Sequence, residues 1–191
     1  MTSIIKVDQI QTAAGGVPTA ADLGLNVSGS VVQIHTAYFT QTDSLAYSTA
    51  TRTLINLLQT SFTPKYATSK LIVEIRICGE FSNAGAVYNS MFYVARNGTP
   101  VGEAAQSGSR LMGIAPPALS YEGTDGATTM ESMYLSFVDT ADNTSARTYQ
   151  LGLNNGSNTA GSLAINRTWA NSDNNGNENG TSLIKITEVA V

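Results

Sequence analysis

The sequence predicts an all-β protein, an antiparallel, jelly-roll-like β-sandwich with an extended N-terminal arm. Three observations carry this. No stretch holds a 3.6-residue apolar stripe for long, so helices have no face on which to pack. From Ser30 onward, about eight short segments rich in β-branched and aromatic residues are separated by Gly, Pro, Asn and Asp at spacings of 10 to 20 residues. Several of them alternate apolar with polar side chains, giving one buried and one wet face, which argues against a purely parallel stack. No fixed repeat is present, which disfavours a propeller or a β-helix.

The chain reads as an arm, residues 1–29, and one body, residues 30–191. Residues 30–41, SVVQIHTAYFTQ, open the body. TRTLINLLQTSF (51–62) follows, and its LINLL is compatible with either a strand or a helical turn. The clearest strand is KLIVEIRIC (70–78), where Leu71, Val73, Ile75 and Ile77 share one face while Glu74 and Arg76 take the other. Within residues 87–104, Asn97-Gly98 lies between two strand-like runs and predicts a two-residue hairpin of type I′. Residues 105–127 contain a Pro-Pro pair and four glycines, so a long irregular crossover is expected there. Strands are then expected over 130–139, 147–154, 162–169 and 182–191, with the wholly polar NSDNNGNENGT between the last two.

Composition narrows the partners. Charged residues make up 13% of the chain, against about 25% in an average soluble protein. With a net charge of −4 and scattered Lys and Arg, neither a nucleic acid nor an anionic membrane is an expected partner. No run of about 18 apolar residues and no secretory leader are visible, so the product is expected to stay in the cytoplasm where it is made. Cys78 alone cannot form an internal disulfide, and its strand context predicts a buried thiol. Six Asn-x-Ser/Thr triplets, at Asn26, Asn97, Asn143, Asn155, Asn166 and Asn179, reflect an Asn- and Thr-rich composition.

Catalytic chemistry finds little support, and the chain is expected not to be an enzyme. His35 is the single histidine, placed inside VVQIHTAYF as a sheet residue rather than a triad base. One His and one Cys are too few for a zinc site. Glu122, Asp125 and Glu131 are loop acids by pattern, and DTADN (139–143) and SDNNGNEN (172–179) read as polar turns, not calcium loops. No cofactor is implied. Tyr38, Phe39, Tyr88, Phe92, Tyr93, Tyr134, Phe137 and Tyr149 lie on strand runs and belong to the core or to a subunit interface. Trp169 precedes the Asn-rich loop, and with Asn171, Asn174, Asn175 and Asn177 it forms a candidate glycan contact, the indole stacking on a sugar whose hydroxyls the amides bond.

The arm carries Ile4, Ile5, Val7, Ile10, Val17, Leu23 and Leu25 around a polar Gly15-Gly16 patch. Burying Ile4, Ile5, Val7 and Ile10 would contribute roughly 1.5–3 kcal/mol each. Ordering the backbone costs on the order of 1–2 kcal/mol per residue. The aliphatics alone do not cover that, so the arm is expected to gain structure by pairing with a partner or with other copies of itself. An edge strand on its own sheet is the alternative.

MTSIIKVDQIQTAAGGVPTAADLGLN resembles the N-terminal segment of appendage proteins, fibres especially, of tailed bacteriophages from marine and freshwater hosts. SFTPKYATSKLIVEIRICGEF and the closing SLIKITEVAV are similar to the body that accompanies it. This resemblance implies a virion structural protein, a homotrimer of short tail-fibre, spike or capsid-fibre type, whose arm joins other virion proteins. A capsid decoration protein and a lectin-like module meeting a host surface glycan are the alternatives.

Overall fold

A computed structural model describes residues 10–18, 22–23, 28–83, 87–117, 128–156 and 160–191. Ten strands appear among them: β1 (Val31–Phe39), β2 (Asp43–Tyr47), β3 (Thr51–Phe62), β4 (Lys70–Phe81), β5 (Ser90–Arg96), β6 (Thr99–Val101), β7 (Glu131–Thr140), β8 (Arg147–Asn155), β9 (Gly161–Ile165) and β10 (Ser182–Val189). All their pairings are antiparallel.

Two sheets result. The smaller runs β3-β8-β5-β6. In the larger, β4 is central, with β7 along one edge; β10 pairs with Lys70–Arg76 and β9 with Gly79–Phe81. Gly79 faces both Glu131 and Ile165, so β9 and β10 share the edge opposite β7. β1 then pairs with β10, and β2 with β9. Counting β1 with β2 and β9 with β10 as interrupted single strands leaves two four-stranded sheets, the eight-stranded jelly roll that the pattern predicts.

The core lies between the sheets. Leu71, Val73, Ile75 and Ile77 of β4 and Ile184 and Ile186 of β10 are fully buried, with Ile55, Leu58, Phe92, Tyr149, Leu151 and Leu153 from the other sheet in the same cluster. His35 bridges the layers, its Nε2 2.8 Å from Thr60 Oγ1. Cys78 is buried, as its strand context implies.

Residues 54–58, ambiguous by pattern, are strand with an irregularity. Leu54 pairs with Gly152 and Gln59 with Gln150, so four residues of β3 oppose Leu151 alone. That bulge lets Ile55 and Leu58 both point inward at a spacing that otherwise signals a helix. The Asn97-Gly98 turn has φ of 52° and 82°, as a type I′ hairpin requires. Two expectations are corrected. β2 is a strand that the pattern does not announce, and β9 stops at Ile165, so Trp169 lies beyond it rather than at its end.

Candidate functional site

The two ends of the sandwich differ in their connections: none exceeds seven residues at the short end, and one of sixteen stands at the long end. At one end, where Val31, Val189, Lys70 and Thr140 lie in one row, the links are residues 63–69, 97–98 and 141–146. The arm enters here, Gly29 N donating to Ala190 O and Ala190 N to Ser30 O. At the other end lie 48–50, 82–83, 87–89 and 166–181, together with the residues that close β8 and open β7 and β9.

The short end is held by buried polar groups. Glu188 is fully buried and accepts from the amides of Lys65 (2.9 Å) and Tyr66 (3.0 Å) and from Gln33 Nε2 (2.6 Å). Burial works against its charge, yet these amides, Gln33 and Ser69 together hold its carboxyl below the ordinary value. The Thr-Pro turn and the last strand, separate in the sequence, are thereby one unit. Asp139 of β7 reaches across the layers to Arg96 Nη1 (3.1 Å) and accepts from the Tyr149 hydroxyl (2.7 Å). Burial, then the Asp139 carboxylate, pushes the Tyr149 phenol well above its usual value. With Asp142 also on Arg96 (3.3 Å), both acids of DTADN pair with one guanidinium.

The long end is dominated by residues 166–181. Ile165 faces Gly79 and Leu183 faces Arg76, which leaves room for two residues opposite Cys78 and Ile77. Asn166 and Ser182 take those places, so residues 167–181 are an excursion from one continuous strand. Its stem is hairpin-like: Arg167 bridges Asn179 and Thr168 N donates to Glu178 O (3.1 Å). The junction is polar and buried. Asn166 Nδ2 donates to Phe39 O and Gln41 O, both at 2.8 Å, while Ser182 Oγ donates to Asn166 Oδ1 (2.7 Å) and accepts from Cys78 N (3.0 Å). These bonds satisfy the carbonyls released where β1 breaks into β2, a buried polar set with every member paired.

The excursion encloses a recess of about 230 Å³ lined by Thr168, Asn171, Ser172, Asp173, Asn174, Asn177, Glu178 and Asn179. Asn171, Asn174 and Asn177 are in this lining, and Trp169 and Asn175 are outside it. Trp169 is 36% exposed, and its amide is fixed to the buried Glu80 (2.7 Å). Glu178 accepts from Met130 N (2.7 Å), tying the excursion to the strand next door. Among the described residues, no group of three or more His, Cys, Asp or Glu could hold a metal ion.

Of the arm residues, Ile10, Val17 and Leu23 are 53%, 80% and 45% exposed. Ile4, Ile5, Val7 and Leu25 lie outside the described residues, as do Glu122 and Asp125. A turn is described within the arm, with Gly15 N donating to Thr12 O and Thr12 N to Gly16 O. Sequence reasoning missed Asn166 and Glu188. Asn166 presents itself as a glycosylation triplet, although it and Asn155 are fully buried, and Glu188 as one charged residue of the closing strand.

No family model matches the chain, and no curated protein does. Among solved structures, it is similar to the VP2 subviral particle of infectious bursal disease virus, with 12% identity, a TM-score of 0.37, and 82% of this chain and 40% of that one covered. A structure of the Gx strain of the same virus overlaps with 17% identity and a TM-score of 0.35, covering 86% of this chain and 38% of that one. The chain therefore spans about two fifths of the length of those proteins.

Proposed function

We propose that this chain is a structural component of a tailed-phage particle, a short trimeric appendage of fibre or spike type that its arm fastens to other virion proteins. The observation that carries this reading is the polarity of the sandwich. The arm enters among connections of at most seven residues, and the sixteen-residue connection lies at the opposite end. Long loops on a rigid scaffold are where contact functions concentrate. Three apolar arm residues exposed in the single chain, Ile10, Val17 and Leu23, fit an element completed by a neighbour. The resemblance of residues 1–26 to phage appendage arms supplies the particle and the trimer.

Deleting residues 1–26 tests the anchoring. The shortened chain should fold and assemble yet be absent from purified particles, and incorporation at the wild-type level refutes the claim. A capsid decoration protein has the same build, and imaging the labelled chain on the particle separates capsid from tail.

A second reading rests on the recess in the excursion. Its amide-rich lining, whose charged members are the acids Asp173 and Glu178, suits a glycan without anionic groups at the distal end. A glycan array should show binding that Asn174→Ala weakens at least tenfold. No signal above background for the wild type removes this reading and leaves the anchoring intact.

A further inference from the structure

The larger sheet has a second face, turned away from the core, across β1, β10, β4 and β7. The register fixes its rows. Ile34, Thr187, Ile72 and Val138 lie in line. Tyr38, Leu183, Arg76 and Tyr134 form a parallel row, with Thr36, Lys185, Glu74 and Ser136 between the two. A soluble antiparallel sheet ordinarily makes its outer face polar. Here Val31, Ile34, Tyr38, Tyr134 and Val138 are 56–69% exposed.

We propose that a second copy of this chain docks on this face, making it the subunit interface of the oligomer. The inference rests on the reading of the chain as a self-associating appendage and says which surface does the associating. Three observations select the occupant. The first is charge. Lys185 Nζ lies 2.8 Å from Glu74 Oε2, the Tyr134 hydroxyl donates to Glu74, and Arg76 bonds Thr181 O at 3.1 Å. Each charged group in these three rows already has a partner within its own chain, so a cover needs to bring no counter-charge, and a nucleic acid or acidic peptide finds no cationic field. The second is area. Those five side chains leave on the order of 500 Å² of surface exposed, at the upper end for a lone patch on a monomer. That is more than half of the roughly 800 Å² that one partner contributes to a standard interface. The third is place. The arm enters beside Val31, at the edge of this face, so copies that share the face bring their arms to one spot.

Sedimentation of the full chain at micromolar concentration tests this. The wild type should run as a multiple of 20.0 kDa, three copies on the present reading. The double variant Ile34→Glu/Val138→Glu should run at the single-chain mass, whereas Ser61→Glu, on the outer face of the other sheet, should leave the oligomer unchanged. A monomeric wild type, or a double variant that stays oligomeric, overturns the proposal. Tyrosine nitration of the unmodified chain guards against a variant that fails to fold: Tyr38 should be protected at least tenfold relative to Tyr88, which is 67% exposed. Equal modification of Tyr38 and Tyr88 overturns the proposal as well. These measurements need no particle, so their failure is distinct from a failure of anchoring.

Discussion

Joining Asn166 directly to Ser182 by deleting residues 167–181 should leave a folded sandwich, because both residues already occupy successive places opposite β4. In the joined chain, residues 165, 166, 182 and 183 would face residues 79, 78, 77 and 76. Alternation would hold too, with Ile165 inward and Ile184 two places beyond Ser182 also inward. The deletion removes the bonds from Trp169 N to Glu80, Met130 N to Glu178, Gly180 N to Asn166 O, Arg76 Nη2 to Thr181 O and Cys78 Sγ to Thr181 O. At about 0.5–1.5 kcal/mol for each, the loss is about 3–7 kcal/mol. For a body of this size that corresponds to a fall in Tm of about 6–28 °C. It also lets Asn166 leave its positive φ of 59°.

The contrast is a deletion one residue longer, 167–182. One residue would then have to span two positions of β4. Since β4 is paired on both edges, it cannot bulge without breaking a ladder. The alternative is a slip of β10 that turns Ile184 and Ile186 outward and Lys185 inward. Losing two buried isoleucines and burying an ammonium costs about 5 kcal/mol or more, comparable to the whole stability of a domain. Thermal unfolding followed by circular dichroism compares the two. Equal stability of the two deletions, or failure of the shorter one to fold, would refute the view of the excursion as an insertion in one strand.

Other outcomes follow from particular groups. Glu188→Ala should cost about 3 kcal/mol in urea unfolding, because the Lys65 and Tyr66 amides lose their acceptor. Its carboxyl is held below the ordinary value, so its contribution is complete above about pH 4.5 and is lost as pH falls through the lower folded value. Glu188→Gln should flatten that part of the acid limb, and an unchanged limb would count against it. Tyr134, pushed up to about 12 by its bond to Glu74, then by burial and the Glu74 charge, should titrate nearer the ordinary phenol range in Glu74→Gln when followed by ultraviolet absorbance. Gly79→Ala would bring a methyl against the backbone oxygen of Ala164, and a loss of about 1–3 kcal/mol is expected. Wild-type stability in that variant would show that β4 and β9 pair less closely.

Strand identity was legible wherever side chains alternate, because alternation follows directly from one wet and one buried face. KLIVEIRIC and RTYQLGLN are the plain cases. LINLL was not, since a bulge brings Ile55 and Leu58 to the same side at a helical spacing. β2 was hidden because only Leu45 and Tyr47 of its five residues point toward other side chains. At the distal site, composition shows an Asn-rich loop but not the bond from the Trp169 amide to Glu80, a contact 89 residues away in the chain. Glu188 and Asn166 could not have been found by pattern. Their roles come from partners brought together only by the fold, and an acid or amide in a strand reads as solvated until those partners are known. The rows on the outer face needed the register, which a list of strands does not contain.

The central claim is the direction in which the sandwich points. Cryo-electron microscopy of particles carrying the chain measures it most directly. Lys70 and Cys78, eight residues apart along β4, place the root of the excursion about 26 Å beyond the arm's entry. Density for residues 167–181 should therefore lie farther from the particle surface than the entry of the arm by about that distance. An excursion turned inward, with Val31 and Val189 outermost, would contradict the account.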